Sequence, residues 1–337
     1  CVYNEEDVID SKIRNLLELD YPHEKMEILI GSDGSTDRTH DIIRQFSDPR
    51  IKFSINSQRQ GKMMTLNRLI PCACNEIIVF TDARQIFEKN AIKNLVSNFS
   101  DPQIGCVSGQ LMFAPKEGGT AQGVSLYWSY EKFIRRQESR IHSMLGATGA
   151  IYAIRKSLFM PGPGNVVLDD MYTPFKIIEQ GYRAVFEDAA YAYDQVAQKP
   201  QEEFQRKART IYGNYQIFFL FGNMFNPWQS PIAFQFFSHK FLRVVIPFFL
   251  ILLFGLNYFL RRDSIFYPLW ISQIIFYLMA GVEQLTHAQN KGLFRIVHKI
   301  CYAPYVFCLL NFSAFIGFCK LVGPQQEVIW QKARHQK

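Results

Sequence analysis

Three long stretches without a charged residue lie in the last third of the 337-residue chain. Each is close to the ~20 residues that a helix needs to cross a bilayer, and three in succession are hard to bury in one water-soluble core. Buried core helices are the alternative interpretation. We therefore expect a membrane region over residues 239–337, with spans at about 242–260, 265–283 and 300–319.

The first half of the chain has a different pattern, in which short apolar runs alternate with segments of helical periodicity. This β-α-β-α rhythm predicts an α/β domain with an open, mostly parallel sheet. Ligands of such sheets bind beyond the carboxyl ends of the strands. The runs that we predict to be strands are residues 27–31, 51–55, 76–80 and 105–109.

The sequence opens almost directly on a polar turn, Tyr3-Asn4-Glu5-Glu6, and no targeting pattern precedes it. A mature protein rarely starts in this way. We interpret the chain as a fragment whose catalytic domain, residues 1–200, lacks an N-terminal strand. A membrane helix before that strand is a further expectation that the sequence leaves open.

Charge and cysteine content narrow the range of partners. The net charge of +7 fits an anionic partner, either a phosphate-bearing molecule or a membrane surface. We predict no nucleic-acid partner, because no base-reading motif accompanies that charge. The seven cysteines lie in apolar settings and imply no disulfide framework, and Cys72 and Cys74 lack the second pair or histidine that a metal site needs.

Residues 201–238 combine basic side chains, among them Arg206 and Arg209, with clusters of phenylalanine. This combination is typical of an amphipathic helix in the membrane interface, and a linker helix packed on the catalytic domain is the alternative. Basic residues between the second and third stretches indicate a cytoplasmic loop, which would make the catalytic domain cytoplasmic. Basic residues are usually enriched on the cytoplasmic side of a membrane protein, but Arg261 and Arg262 would lie on the opposite side of the membrane.

Two acidic residues follow predicted strands. Asp33 precedes a Gly-Ser pair, so its carboxylate suits either a nucleoside hydroxyl or a helix cap. The carboxylate of Asp82 suits contact with a ribose, or with a divalent cation that in turn holds a diphosphate. The alternative is an ion pair with a nearby basic side chain. Arg84, two residues later, has the charge to neutralise a phosphate.

Two further segments combine charge with a predicted helix start. Lys62 follows Gly61, an arrangement that can hold a phosphate at a helix N-terminus, although a solvated lysine is the simpler alternative. Asp169 and Asp170 are adjacent acids, so one of them can face a cleft and act as a general base. Negative charge is also favourable at a helix N-terminus without any catalytic role.

The order of these segments resembles that of the family 2 glycosyltransferases, which are inverting enzymes with a GT-A fold. The resemblance covers about residues 1–215, and the apolar stretches fit the integral-membrane branch that is related to polysaccharide synthases. The matching segments are Tyr3-Asn4-Glu5-Glu6, residues 32–37, Gly61-Lys62 with Leu66-Asn67, Thr81-Asp82-Ala83, Thr148-Gly149-Ala150 with Arg155-Lys156, and Leu168-Asp169-Asp170.

The resemblance implies a role for each matching residue. Tyr3, Glu5 and Asp33 would line the nucleoside pocket, and Lys62 would approach the diphosphate or the base. Asp82 would lie near the ribose and a metal ion, Gly149 and Asp169 would lie beside the donor sugar and acceptor, and Asp170 would be the catalytic base.

Two departures from the family pattern matter. Arg84 stands where the D-x-D motif usually has its second aspartate, so the resemblance leaves dependence on Mg²⁺ or Mn²⁺ open. The stretch comparable to the processive synthases' Q-x-x-R-W is residues 205–210, which contain no tryptophan. Arg206 and Arg209 are our candidates for holding the leaving diphosphate.

We therefore predict a membrane-bound inverting glycosyltransferase that uses a cytosolic nucleotide sugar, with UDP as the family default. Its acceptor would be a polysaccharide or a lipid-linked saccharide, and membrane lipids would be partners. A bacterial-type plasma membrane is the expected location. Three spans are few for a pore that conducts a polysaccharide, so an additional membrane subunit is a further possible partner. The alternatives are a non-processive polyprenyl-phosphate glycosyltransferase, a non-catalytic membrane scaffold and a soluble nucleotidyltransferase.

Overall fold

The computed structural model of the chain describes residues 1–113, 119–194, 200–286 and 293–322. The chain divides into two compact units. The first contains residues 1–202 together with Gln216–Phe236, and the second contains Glu203–Tyr215 and the helices from residue 237 onward. Except for Arg206 and Arg209, the predicted site residues lie in the first unit.

The first unit begins with alternating helices and strands, as the sequence pattern predicts. A two-stranded sheet pairs β1 and β2 in parallel. The bounds up to the first long strand are α1 Ile9–Leu17, β1 Ile28–Ser32, α2 Thr39–Arg44, β2 Ile51–Ile55, α3 Lys62–Leu69, β3 Ile77–Thr81, β4 Ile86–Phe87, α4 Ala91–Ser97 and β5 Ile104–Phe113.

The remainder of this unit completes a five-stranded sheet. Its elements are α5 Gly119–Ile141, β6 Ile151–Arg155, α6 Asp169–Glu179, β7 Arg183–Asp194 and the start of α7 Pro200–Leu220. The strand order is β3-β6-β5-β7-β4. Among the described residues of this sheet, β5 and β7 pair in parallel, whereas β3 with β6, β5 with β6, and β4 with β7 are antiparallel.

The prediction of a mostly parallel sheet was therefore wrong for the larger sheet. Local periodicity identifies strands but does not identify their neighbours, and the two strands that set the pairing, β6 and β7, lie beyond the runs that we had predicted. The coarser prediction of an α/β fold is confirmed by the element order.

The core beneath the site lies between α4 and the five-stranded sheet. Leu95 of α4, Val107 of β5 and Ile151 and Ala153 of β6 are fully buried in one cluster. Burying a side chain of this size contributes about 1.5–3 kcal/mol relative to leaving it exposed. The cluster thereby fixes β5 and β6, and with them the loop that enters β6 at Gly149.

A cleft of about 530 Å³ lies between β1 and β3. In the part of the chain that the structure describes, β1 pairs only with β2, and β3 pairs only with β6. A parallel bridge between Val2 and Ser32 extends from the carboxyl end of β1. The N-terminal strand expected from the sequence is not tested by this arrangement and stays a prediction.

The second unit is helical and includes α8 Leu242–Phe259, α9 Phe266–Thr286 and α10 Leu293–Val322. Within the described ranges, two helical stretches are long and apolar enough to cross a membrane, Ala233–Phe259 and Ile300–Cys319. The middle predicted span forms α9 but does not reach the same apolarity. It contains Gln273, which accepts a hydrogen bond from Asn257 at 3.1 Å, and the buried Glu283.

Candidate active site

Asp33 follows β1 and holds the loop that leads into α3. Its carboxylate accepts hydrogen bonds from the backbone amides of Gln60 at 2.8 Å and Gly61 at 2.9 Å, and from the side-chain amide of Asn56 at 3.2 Å. Gly61 has a φ of 95°, a left-handed conformation that glycine adopts without strain. Asp33 therefore fixes the backbone directly before Lys62.

Tyr3 and Glu5 lie on the polar turn that faces the loop after β1. The guanidinium of Arg59 lies 3.7 Å from the centroid of the Tyr3 ring, so the guanidinium stacks on the ring. Glu5 is buried, and its backbone amide donates to Thr39 Oγ1 at 2.9 Å. Sequence analysis missed Arg59, because a basic residue in a polar loop carries no local signal.

Lys62, the first residue of α3, joins two segments that are distant in sequence. Its Nζ lies 3.1 Å from Asp82 Oδ1 after β3 and 3.1 Å from Asp169 Oδ2 at the start of α6. Burial alone would lower the pKa of Lys62, but the carboxylates of Asp169, Asp82 and Asp170 raise it above its ordinary value. Lys62 is thus a permanently charged centre and not a solvated surface lysine.

Asp82 is the carboxylate that the resemblance would give to a metal ion. Burial raises its pKa, yet the ion pair with Lys62 and the charge of Arg84 lower it overall. Among the described residues, no group of three or more His, Cys, Asp or Glu side chains could hold a metal ion. The protein side chains therefore do not fit a resident Mg²⁺ or Mn²⁺, and we derive no step through one.

Asp170 is half-buried beside Asp169 in the first turn of α6. Burial and the charge of Asp169 raise the pKa of Asp170 to about 6, against the opposing charges of Lys62 and Arg135. A carboxylate with this pKa is ionised at neutral pH and is a better proton acceptor than an ordinary aspartate. Asp170 can therefore serve as a general base.

Gly149 leaves the base accessible. A Cβ at this position would lie 2.9 Å from Asp170 Oδ2, which is closer than real Cβ atoms come. The loop is fixed in place because the Ala147 amide donates to the Asp170 carbonyl at 2.7 Å. A larger residue at position 149 would crowd this carboxylate oxygen.

Tyr152 of β6 is a second residue that sequence analysis missed. Its ring stacks on Phe80 with centroids 4.2 Å apart, and its hydroxyl is buried without a hydrogen-bond partner among the described residues. Burial, together with Asp169 and Asp170, raises its pKa, so the phenol stays neutral beside these acids. The only sequence signal was a tyrosine within the otherwise aliphatic start of a strand.

The predicted diphosphate ligands lie elsewhere in the chain. Arg209 lies on α7 within the second unit. The side chain of Arg206 lies outside the described residues. Their contact with a leaving diphosphate therefore stays a prediction.

Lys62 thus bridges a carboxylate at a strand end and a carboxylate at a helix start, beside the half-buried Asp170. This arrangement is suited to group transfer from an anionic donor. The family model "Glycosyl transferase family 2" matches residues 1–161. The resemblance seen in the sequence is thereby confirmed over these residues, which form a glycosyltransferase family 2 domain.

Two curated relatives share similarity over 222 residues. Poly-beta-1,6-N-acetyl-D-glucosamine synthase of Staphylococcus aureus (strain MSSA476) is 26% identical, and the synthase of that name from Staphylococcus epidermidis is 24% identical. Each match covers 64% of this chain and 53% of the relative. The chain therefore spans about half the length of the curated relatives it matches.

One solved structure shares the fold over nearly the whole chain. The mannosyltransferase PcManGT from Pyrobaculum calidifontis, solved with GDP-Man and Mn²⁺, aligns with a TM-score of 0.67 at 20% identity. The alignment covers 96% of this chain and 86% of that one. It confirms the GT-A-like architecture.

Proposed function

We propose that this chain is the catalytic part of a membrane-bound inverting glycosyltransferase that moves a sugar from a nucleotide sugar to a polysaccharide or lipid-linked acceptor. The observation that carries the proposal is the contact set around Lys62, which brings Asp82 and Asp169 within 3.1 Å of one cation next to Asp170.

The reaction is a single displacement. An acceptor hydroxyl gives its proton to Asp170 Oδ2 while its oxygen bonds to the anomeric carbon of the donor sugar. The bond from that carbon to the diphosphate oxygen breaks with the electron pair leaving on the diphosphate, and the configuration inverts. Lys62 provides positive charge near the developing negative charge, which is the kind of stabilisation that contributes most in such sites.

We propose a UDP-linked sugar as the donor, with UDP-N-acetylglucosamine as the first to test. The names of the staphylococcal relatives support N-acetylglucosamine and a polysaccharide acceptor. The stacked pair of Tyr3 and Arg59 supports a nucleobase as part of the donor, because aromatic rings and guanidinium groups stack well. A non-processive transfer to a lipid-linked acceptor is the second candidate, favoured by the missing tryptophan in residues 205–210.

A divalent cation belongs to this proposal only as a companion of the donor. Asp82 offers oxygen ligands, and diphosphate oxygens are the natural complement for Mg²⁺ or Mn²⁺. We expect Mn²⁺ to bind the chain measurably in the presence of UDP and not in its absence. Binding of Mn²⁺ without nucleotide would contradict this part of the proposal.

We also propose that the catalytic unit works at a membrane surface on the cytoplasmic side of a bacterial-type plasma membrane. Within residues 216–236, Phe219, Trp228 and Phe234 are exposed, whereas other apolar residues of this segment, such as Ile217 and Phe236, are buried. Two apolar stretches support membrane anchoring, and α9 is the proposed third span. An interfacial role for residues 201–238 fits this pattern of aromatic exposure.

The test uses the full chain in nanodiscs and measures nucleoside diphosphate release from a panel of UDP- and GDP-sugars, with and without Mg²⁺ or Mn²⁺. We expect release from one donor and its loss in Asp170→Asn, which keeps the shape of the side chain but cannot accept the proton. Release that survives Asp170→Asn would overturn the assignment of the base. No release from any donor, with candidate acceptors added, would instead favour a non-catalytic scaffold.

A further inference from the structure

Arg135 of α5 is a buried cation that the reaction above does not use. Only 14% of its side chain is exposed, and its Nε lies 3.8 Å from Oε1 of Glu131, one turn earlier. Its Nη1 donates a hydrogen bond to Thr148 Oγ1 at 2.8 Å. A buried guanidinium needs such partners, since burying a charge without them is costly.

Thr148 belongs to a loop that is fastened on several sides. Its backbone amide donates to Ser108 Oγ at 2.8 Å on β5. The Leu145 amide donates to Glu138 Oε2 at 3.2 Å on α5, and the Ala147 amide donates to the Asp170 carbonyl at 2.7 Å on α6. Hydrogen bonds therefore connect α5 to this loop at Thr148, and the loop to the start of α6 at Asp170.

The position of Thr148 determines how close the backbone at Gly149 comes to the carboxylate of Asp170. Thr148 directly precedes Gly149, and a single added carbon at Gly149 would lie 2.9 Å from Asp170 Oδ2. A small displacement of this loop would thus change the access of a hydroxyl group to that oxygen. Misplacement by about 1 Å is enough to lower a reaction rate about 100-fold.

The guanidinium of Arg135 is also one of the charged groups that act on Asp170. Its charge lowers the pKa of Asp170, against burial and Asp169, which raise it. Lys62 on α3 acts in the same direction as Arg135, and Asp82 after β3 acts in the opposite direction. Arg135 thus adds a charge from α5 to those of Lys62 on α3, Asp169 on α6 and Asp82 after β3.

We propose that Arg135 is a positioning residue for the transfer reaction, which holds Thr148 and Gly149 against Asp170 and so keeps the acceptor hydroxyl within reach of the base. This inference rests on the proposed function, in which Asp170 is the base. It concerns the rate of the chemical step more than donor binding, because Arg135 contacts the loop beside the base.

The experiment compares Arg135→Gln with Arg136→Gln in the full chain in nanodiscs. Arg136 is the matched control, since it is the next residue of α5 and makes a two-pronged ion pair with Asp188 at 2.7 Å on an exposed face. We expect Arg135→Gln to lower kcat about 100-fold with donor KM changed less than about twofold. Arg136→Gln should keep kcat within about twofold, since exposed ion pairs contribute little.

Conservative variants separate positioning from general support of the fold. Arg135→Lys keeps the charge and should recover about tenfold of the lost kcat. Thr148→Val keeps the shape but loses the hydroxyl and should follow Arg135→Gln, whereas Thr148→Ser should stay near the original rate. Because Thr148→Val is nearly isosteric, it tests the proposal even if Arg135→Gln fails to fold.

The results that overturn the inference are distinct from those that overturn the function. Unchanged kcat in Arg135→Gln and Thr148→Val, with Asp170→Asn inactive, rejects the role of Arg135 alone. Equal losses of kcat and Tm in Arg135→Gln and Arg136→Gln also reject it, because they show only a weakened helix. Turnover retained in Asp170→Asn rejects the assignment of the base itself.

Discussion

The carboxylate of Asp33 accepts a 2.9 Å hydrogen bond from the backbone amide of Gly61, the residue directly before Lys62. One acid after β1 thereby orients the start of α3, from which the central cation of the site projects. Asp33→Ala would leave the amides of Gln60 and Gly61 without this acceptor. Losing a partner of this kind costs about 1–3 kcal/mol.

We therefore expect Asp33→Ala to lower the free energy of unfolding and to weaken donor binding, as measured by urea unfolding and by UDP titration. Asp48→Ala is the matched control, because the carboxylate of Asp48 accepts from the Arg50 amide at 2.9 Å before β2, away from α3. Equal weakening of UDP binding by both variants would contradict a specific link from Asp33 to Lys62.

Removing the charge of Lys62 should stop the reaction. Lys62→Met would leave Asp82, Asp169 and Asp170 close together without the cation that contacts the first two. We expect diphosphate release to fall at least about 100-fold. Lys52→Met is the control, because Lys52 makes an exposed ion pair with Glu27, and its loss should leave release unchanged. Release above a tenth of the original rate in Lys62→Met would count against the assignment.

The pH dependence follows from Asp170, whose pKa burial and Asp169 raise to about 6. Because a general base acts only when it is deprotonated, kcat/KM should rise about tenfold per pH unit below that value and level off above it. A profile that levels off near pH 4, at the ordinary value of an aspartate, would show that Asp170 is not the titrating base.

Because its pKa is raised, the ionised form of Asp170 lowers the stability of the folded chain. Its folded pKa lies above the ordinary value of 3.8, so the stability that the protonated form contributes is lost as the pH rises through about 6. Asp170→Asn, which stays neutral, should therefore raise Tm at about pH 8 and change it little at about pH 4. A Tm gain that is independent of pH would contradict this account.

Gly149→Ala tests the close approach between the loop and the base. The added carbon would lie 2.9 Å from Asp170 Oδ2, so we expect a loss of turnover of about 100-fold with little change in fold by circular dichroism. Gly222→Ala is the matched control in the first unit, because a carbon there meets no atom within 4 Å. Full activity of Gly149→Ala would show that this approach is not used.

Trp228 should report on the membrane surface. Its side chain is 92% exposed in the first unit, and tryptophan is enriched at membrane interfaces because it has an apolar ring and a polar N–H group. We expect brominated lipids in nanodiscs to quench part of the tryptophan fluorescence, and Trp228→Phe to remove that part. Equal quenching in both proteins would place Trp228 away from the lipid.

Sequence analysis located Asp33 and Asp82 after strands because strand ends are visible in local apolar patterns. It could not determine the antiparallel pairing of β6, since that pairing depends on contacts between distant segments. The contacts of Lys62 with Asp82 and Asp169 were hidden for the same reason.

Local sequence patterns also say little about the polarity of a helix as a whole and about which residues a side chain faces. A run without charges identified α9, but the run did not reveal how strongly its polar residues reduce its apolarity. Arg59, Arg135 and Tyr152 occupy positions where a solvated or core role is the ordinary expectation. Their significance depends on what they face, which only the three-dimensional arrangement shows.

The cleft between β1 and β3 has a consequence for strand pairing. In the described residues, these strands face the cleft with edges that no ladder partner covers. Rows of unpaired N–H and C=O groups are templates for pairing with a strand from another molecule. A peptide strand or a chain extension that fills the cleft should therefore pair with these two edges.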